Sequence, residues 1–326
     1  MKIKRIALLT SGGDAPGMNA CVRAIVKSGL NNGLEVYGVE DGYQGMIAGR
    51  IRKMQYSDVD NIIQYGGTIL GTARSKAFLT IEGRQKAIAN LTNLNIEGLV
   101  VIGGDGSFAG ANQLSQEIDI SIIGIPGTID NDIFGTDHTI GYDTALNTVV
   151  DAVDKIRDTA TSHHRIFFVE VMGRDAGFIA LNSAIASGAE VVLIPEEITD
   201  IPELVENIKN SNKGKRSTII IVAEGDDSGG AKEIMEKVRP FLSNYELRYS
   251  ILGHIQRGGR PTVKDRVIAT QMGVKAVDLL LSGKTKLMVG VEGEELITHS
   301  IEKTIKQHSK PDIHKLELLE SLRTHF

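Results

Sequence analysis

Residues 100–110 read VVIGGDGSFAG: an apolar run, then Gly103, Gly104, Asp105, Gly106 and Ser107. A lone carboxylate among glycines at the end of a buried strand poses a chemical question. Glycine lets a backbone come close to a phosphate, and the N–H groups that open the following helix supply donors and positive potential. A carboxylate there would repel polyphosphate unless a cation lies between them. Magnesium is held in such places by one or two carboxylates together with phosphate oxygens. Asp105 thus reads as a magnesium holder, with a structural Asx turn as the alternative.

Outward from that stretch the chain repeats one pattern of strand, glycine-rich loop and helix. The strands expected are 6–10, 34–39, 98–102, 121–125, 165–172, 191–194, 217–223 and 247–252. Most are continuous apolar runs, the mark of strands covered on both faces, as in parallel sheets with crossover helices. The clearest helix is expected over about 139–160, where Ile140, Leu146, Val149, Val153 and Ile156 recur at helical spacing.

Two further strand ends carry unusual loops: LLTSGGDAPGMNA (8–20), with Gly12 and Gly13, and IPGTIDNDIFGT (125–136). No GxxxxGK[ST] occurs, and SGGDAPG does not fit GxGxxG. In an extended segment Thr128, Asp130 and Asp132 would alternate to one side. Such a set suits a general base beside a metal-steering carboxylate; a polar turn capping the next helix is the other reading. VMGRDAG (171–177) sets Arg174 past a strand, and LGHIQRGGRP (252–261) does the same for His254 and Arg257. Arginines in such loops suit phosphate, although any single one could equally form a surface salt bridge.

With 326 residues the chain is long enough for two domains, and its 41% hydrophobic and 24% charged residues are ordinary for a globular protein. A net charge of -5 argues against general nucleic-acid binding. The single cysteine, Cys21, excludes an internal disulfide and reads as a packing residue. The N-terminal apolar run is too short for a signal sequence and no stretch could span a bilayer, so a cytoplasmic location is expected.

TSGGDAPGMNA, GGDGS, PGTIDND, RDTATSH (157–163), VMGR and GHIQRGG follow one another in an order that resembles the bacterial ATP-dependent 6-phosphofructokinases. The resemblance covers nearly the whole chain and weakens after about residue 300. It implies two doubly wound α/β domains with parallel-sheet, Rossmann-like three-layer architecture. An ATP-binding domain would take 1–140 and 254–303, and a fructose 6-phosphate and oligomerisation domain 141–253 and 304–326. The implied reaction moves the γ-phosphoryl of MgATP to the 1-hydroxyl of fructose 6-phosphate. Asp130 matches the family's catalytic base, with Thr128 beside it, and Asp105 and Asp132 match acidic residues near magnesium. Gly13, Arg74, Ser75, Gly104, Asp105, Gly106 and Ser107 match ATP-binding positions. Arg174, with Met172 and Gly173, matches residues at the sugar phosphate and the transferring group; Glu224, His254 and Arg257 match further sugar-phosphate contacts. Arg165 and Arg248 match arginines that reach a neighbouring subunit's site, which implies a homotetramer.

The family's effector site, for ADP and phosphoenolpyruvate, is matched by Arg23, Lys27, Arg157, Gly188, Glu190, Lys213, Lys215, Arg216 and Ser217, with Lys27 where an arginine is usual and Tyr56 near where some members carry another. Phe178 replaces a usual aspartate, and Ser75 stands where an aromatic often follows the ATP-site arginine. Pyrophosphate-dependent relatives resemble GGDD and PKTIDND where this chain has Gly106 and Gly127, so ATP is the expected donor. A pyrophosphate-dependent enzyme and a catalytically silent nucleotide-binding paralogue are the alternatives.

Overall fold

The computed structural model describes residues 3–163, 165–212 and 217–322. Its strands are β1 (Arg5–Thr10), β2 (Glu35–Val39), β3 (Ile51–Lys53), β4 (Gly98–Gly103), β5 (Ser121–Pro126), β6 (Arg165–Val171), β7 (Val191–Leu193), β8 (Thr218–Ala223), β9 (Glu246–Ile251), β10 (Leu287–Glu292) and β11 (Glu295–Ser300). All eight strands expected from the sequence form. The chain falls into two compact units, one of Met1–Ile129, Ile133–Thr144 and Arg257–Ser309, the other of Asp130–Asp132, Ala145–Gln256 and Lys310–Phe326.

The first unit holds a sheet in the order β11-β10-β5-β4-β1-β2-β3. Its centre is parallel, as expected, while β2–β3 and β10–β11 pair antiparallel at its two edges. The reason is local. β3 has only three residues, and β11 reads ELITHS with no residue buried, so neither carries the doubly buried signature of a parallel strand. β4, at the centre, is buried at all six residues. Helices Met18–Asn31 and Val263–Leu281 pack together, and Gly273 permits it: a Cβ there would lie 2.8 Å from the Ala24 methyl. Cys21 is buried in the first of these helices, and burial pushes its thiol far up, which suits packing and not reactivity.

In the first unit β1 and β4 are neighbours, while their crossovers lead to β2 on one side and β5 on the other. The gap between them is a topological switch point, and the loops beyond its carboxyl edge are where doubly wound sheets place ligands. Those loops are Ser11–Gly17 and Gly104–Ser107.

The second unit holds a fully parallel sheet, β7-β8-β6-β9. Ile166, Phe168, Ile220, Val222 and Leu247 pack one face against helices Ile201–Asn212 and Ala231–Val238. Three adjacent strand ends, those of β8, β6 and β9, deliver Glu224, Met172–Arg174 and the turn Gly253–Arg257. The helix expected to start near 139 runs Tyr142–His163 instead, because Ile140 bridges to Gly127. Among the described residues no helix is long and apolar enough to cross a membrane.

Candidate active site

The two loops at the switch point of the first unit differ in how much room they leave. Ser107 lies in the first turn of helix Asp105–Glu117, and its hydroxyl oxygen would be only 2.5 Å from a Cβ at Gly103. The carbonyl of Ser107 accepts a 2.6 Å bond from the hydroxyl of Tyr43, whose phenol burial pushes well up and keeps neutral. Gly106 is exposed, and a Cβ on it would meet nothing within 4 Å. Packing therefore does not require glycine there. Gly13 is different: a Cβ would lie 2.4 Å from Nη1 of Arg257, so that guanidinium covers the Gly13 backbone. Arg257 and Gly13, expected at different ligands, thus share one corner of this unit.

Thr128 is nearly buried, and its carbonyl accepts a 2.6 Å bond from the Thr139 hydroxyl. Arg74 is exposed. Ser75 is engaged by the protein: its hydroxyl donates to Gln44 at 2.8 Å and accepts from the Phe78 amide at 3.2 Å, capping the short turn Ala77–Leu79. The serine that replaces an aromatic therefore holds the loop carrying Arg74. Asp105, half-buried at the start of its helix, lies 3.1 Å from Nδ1 of His308.

In the second unit, Asp130 is 1% exposed and its Oδ2 lies 3.2 Å from Nε of Arg174. The expected alternation of Thr128, Asp130 and Asp132 does not hold through Asp132. Asn131 between the last two is left-handed, with φ 59°, which ends any extended run. Arg174 is left-handed as well, at φ 52°, and follows Gly173 at φ 145°. Non-glycine residues seldom hold such angles unless their surroundings over-determine them.

The surroundings do so here. Glu224 Oε1 accepts from the amides of Gly173 (3.2 Å) and Arg174 (2.8 Å). Gln256, fully buried, accepts from the Met172 amide at 3.2 Å and donates to the Gly253 carbonyl at 3.0 Å. The Gly177 amide, at the start of helix Phe178–Ser187, donates to both oxygens of Glu196 at 3.0 and 3.1 Å. A carboxylate thus reaches this helix start from Glu196, although Phe178 stands where the family's aspartate is usual. Sequence reading missed Gln256, Glu196 and His308. Only Gln256 carried a signal, as the polar residue inside GHIQRGG.

Arg165 pairs with Glu246 at 3.0 Å, and Arg248 pairs with the same carboxylate. Hydrogen bonding from Arg165 holds Glu246 below the usual carboxylate range. His254 is exposed in the turn Gly253–Arg257.

Of the effector positions, Arg157, Gly188 and Glu190 come together in the second unit. Arg157 donates to the Gly188 carbonyl at 2.9 Å and lies 3.5 Å from Glu190, while Glu190 accepts from the Ile219 amide at 2.8 Å. Ser217 lies 3.1 Å from the Thr161 hydroxyl. Arg23 is half-buried in the first unit, where Lys27 is paired with Asp60 at 2.9 Å and Tyr56 donates to Asn31 at 2.8 Å. Lys213, Lys215 and Arg216 lie outside the described residues.

The phosphofructokinase family model matches residues 5–280. The chain belongs to the phosphofructokinase family. It is 54% identical over 310 residues to ATP-dependent 6-phosphofructokinase 2 of Bacteroides thetaiotaomicron, covering 95% of each chain. It is 55% identical over 302 residues to the ATP-dependent 6-phosphofructokinase of Bacillus subtilis, covering 92% of this chain and 93% of that one. Among solved phosphofructokinases, the Saccharomyces cerevisiae structure aligns with TM-score 0.87 and 39% identity, over 93% of this chain and 45% of that one. A pyrophosphate-dependent phosphofructokinase from Marinobacter aquaeolei aligns with TM-score 0.87 at 21% identity, over 99% of this chain and 93% of that one, and so shares the fold.

Proposed function

We propose that the protein transfers the γ-phosphoryl of MgATP to the 1-hydroxyl of fructose 6-phosphate, releasing fructose 1,6-bisphosphate and ADP. The observation that carries the reading is Asp130, a buried carboxylate held 3.2 Å from a guanidinium whose backbone is clamped from Glu224. Phosphoryl transfer needs little covalent help from the protein; it needs a base, charge neutralisation and position. In this reading Asp130 takes the proton of the attacking hydroxyl, with Thr128 beside it. Arg174 neutralises charge on the transferring group. Met172, Gly173, Glu224, His254 and Arg257 bind the sugar phosphate, joined by Arg165 and Arg248 of a neighbouring subunit in a homotetramer. Gly13, Arg74, Ser75 and Gly104–Ser107 bind ATP, through the first unit. The names of the relatives support ATP as donor, and so does the open space above Gly106, where an aspartate would set charge against the nucleotide.

Asp105 and Asp132 offer the hard oxygen donors that magnesium prefers, and Asp105 lies in a loop with space over the adjacent glycine. Bound there with ATP, the cation neutralises phosphate charge. ADP and phosphoenolpyruvate are the effectors proposed, at a site including Arg157, Gly188, Glu190 and Ser217, and the enzyme is placed in the cytoplasm.

The test is product formation by the purified protein with magnesium and fructose 6-phosphate, using ATP or pyrophosphate in parallel. Turnover with ATP alone is expected. Turnover with pyrophosphate would overturn the donor, and no product with either donor would favour a silent nucleotide-binding paralogue or another acceptor.

A further inference from the structure

We infer that His308 is a positioning residue for the nucleotide-metal site, acting through Asp105. The inference rests on the reading of Asp105 as a metal holder. His308 Nδ1 lies 3.1 Å from Oδ2 of Asp105. At that distance a proton on Nδ1 would face a carboxylate that, when ionised, can only accept.

The imidazole is not placed by a floppy tail. His308 forms an antiparallel bridge with Ile133, and the Ser309 hydroxyl donates to the Ile133 carbonyl at 3.1 Å. The segment that carries His308 is thus fastened to the loop that begins PGTIDND, immediately before the chain leaves the first unit after Ser309. Asp105 itself lies in the first turn of its helix, beside a glycine with open space around it. His308, brought from more than two hundred residues away, adds a constraint on that carboxylate. Partners that orient a metal-holding group in this way typically change metal affinity ten- to a hundredfold. His308 is more than half exposed, which sets the expectation at the low end.

The experiment is calorimetric binding of a non-hydrolysable ATP analogue to the purified full chain, with and without magnesium. His308→Ala is expected to weaken the magnesium-dependent binding about tenfold. Binding of the metal-free analogue, the KM for fructose 6-phosphate and the melting temperature should stay as in wild type. His308→Asn, whose amide N–H stands close to the position of Nδ1, is expected to restore most of the loss. Wild-type binding by His308→Ala overturns the inference. Equal weakening with and without magnesium also overturns it, as does an asparagine variant no better than alanine. Asp105→Asn separates the two readings. A lost magnesium increment there but none in His308→Ala removes His308 and leaves Asp105 standing, whereas no loss in Asp105→Asn removes both.

Discussion

The turn after β4 and the turn after β6 stand at equivalent places, each at the carboxyl end of a central parallel strand, and they are built in opposite ways. The first, Gly104–Ser107, leaves room: Gly106 has no neighbour within 4 Å of where a side chain would begin. The second, Met172–Arg174, leaves none. A Cβ on Gly173 would lie 2.6 Å from the Ala176 carbonyl, and one on Gly225 2.1 Å from the Arg174 carbonyl. Glu224 and Gln256 grip three successive amides of that turn. One turn leaves space beside its backbone. The other is shaped to hold a single side chain, Arg174, against Asp130. Glycine serves both, for absence of bulk in one and for backbone angle in the other.

The largest effect is expected where the clamped turn meets the chemistry. Asp130→Asn keeps the size of the side chain and removes the proposed base, so kcat should fall by at least the roughly 10²-fold typical of general-base catalysis. Steady-state rates with saturating MgATP and fructose 6-phosphate check it, alongside a melting curve showing that the variant folds. Near-normal turnover would remove Asp130 from its role.

The contrast itself can be broken with one substitution made twice. Gly173 sits at φ 145°, a region open essentially to glycine alone. Gly173→Ala should cost about 2–3 kcal/mol of stability, or else force the turn to relax and release Arg174 with a matching loss of kcat. Gly106 lies within a helix at an ordinary angle, so Gly106→Ala should be neutral or stabilise by about 0.5–1 kcal/mol. Urea denaturation of both variants reads the difference directly. Equal effects would mean that the two turns differ in appearance only.

Much of this was legible in the sequence, because it is written in short segments. Continuous apolar runs marked the eight strands of the parallel cores, and glycines followed by a polar residue marked the loops at their carboxyl ends. The short β3 and the edge strand β11 were not legible, since strands with no buried residue carry neither a buried run nor clean alternation, and β10, though buried at Met288–Val291, was missed as well. Nor was the hold on the clamped turn. Glu224 and Gln256 act on amides 50 and 84 residues away, and Glu196 acts on the Gly177 amide 19 residues away. No local pattern announces a partner at such distance. The left-handed backbone of Asn131 was hidden for a related reason. Asparagine tolerates that angle without requiring it, so the residue type alone could not show where the extended run of PGTIDND stops.

A smaller effect sharpens the comparison by asking whether clamping is confined to one unit. Asp265, 1% exposed in the first turn of helix Val263–Leu281, grips the chain in the first unit as Glu224 does in the second. Its carboxylate accepts from the amides of Gly141 and Thr144, each at 2.8 Å, and from the Thr144 hydroxyl. Burial pushes its pKa up, and the hydrogen bonds pull it down without cancelling the rise. A carboxyl group raised on folding binds more protons when folded than when unfolded over the window between its two pKa values. Its contribution to stability is therefore complete below the unfolded value, near 4, and is lost as pH rises through the folded one. Asp265→Asn should destabilise by about 1–3 kcal/mol, because one carbonyl oxygen cannot serve three donors. The asparagine does not titrate, so the gap in melting temperature between wild type and variant should be widest near pH 4 and narrow towards pH 7. Melting curves across that range decide it. A gap that widens with rising pH would mean that the three donors outweigh burial, and that this clamp, unlike a merely buried acid, is tuned to carry charge.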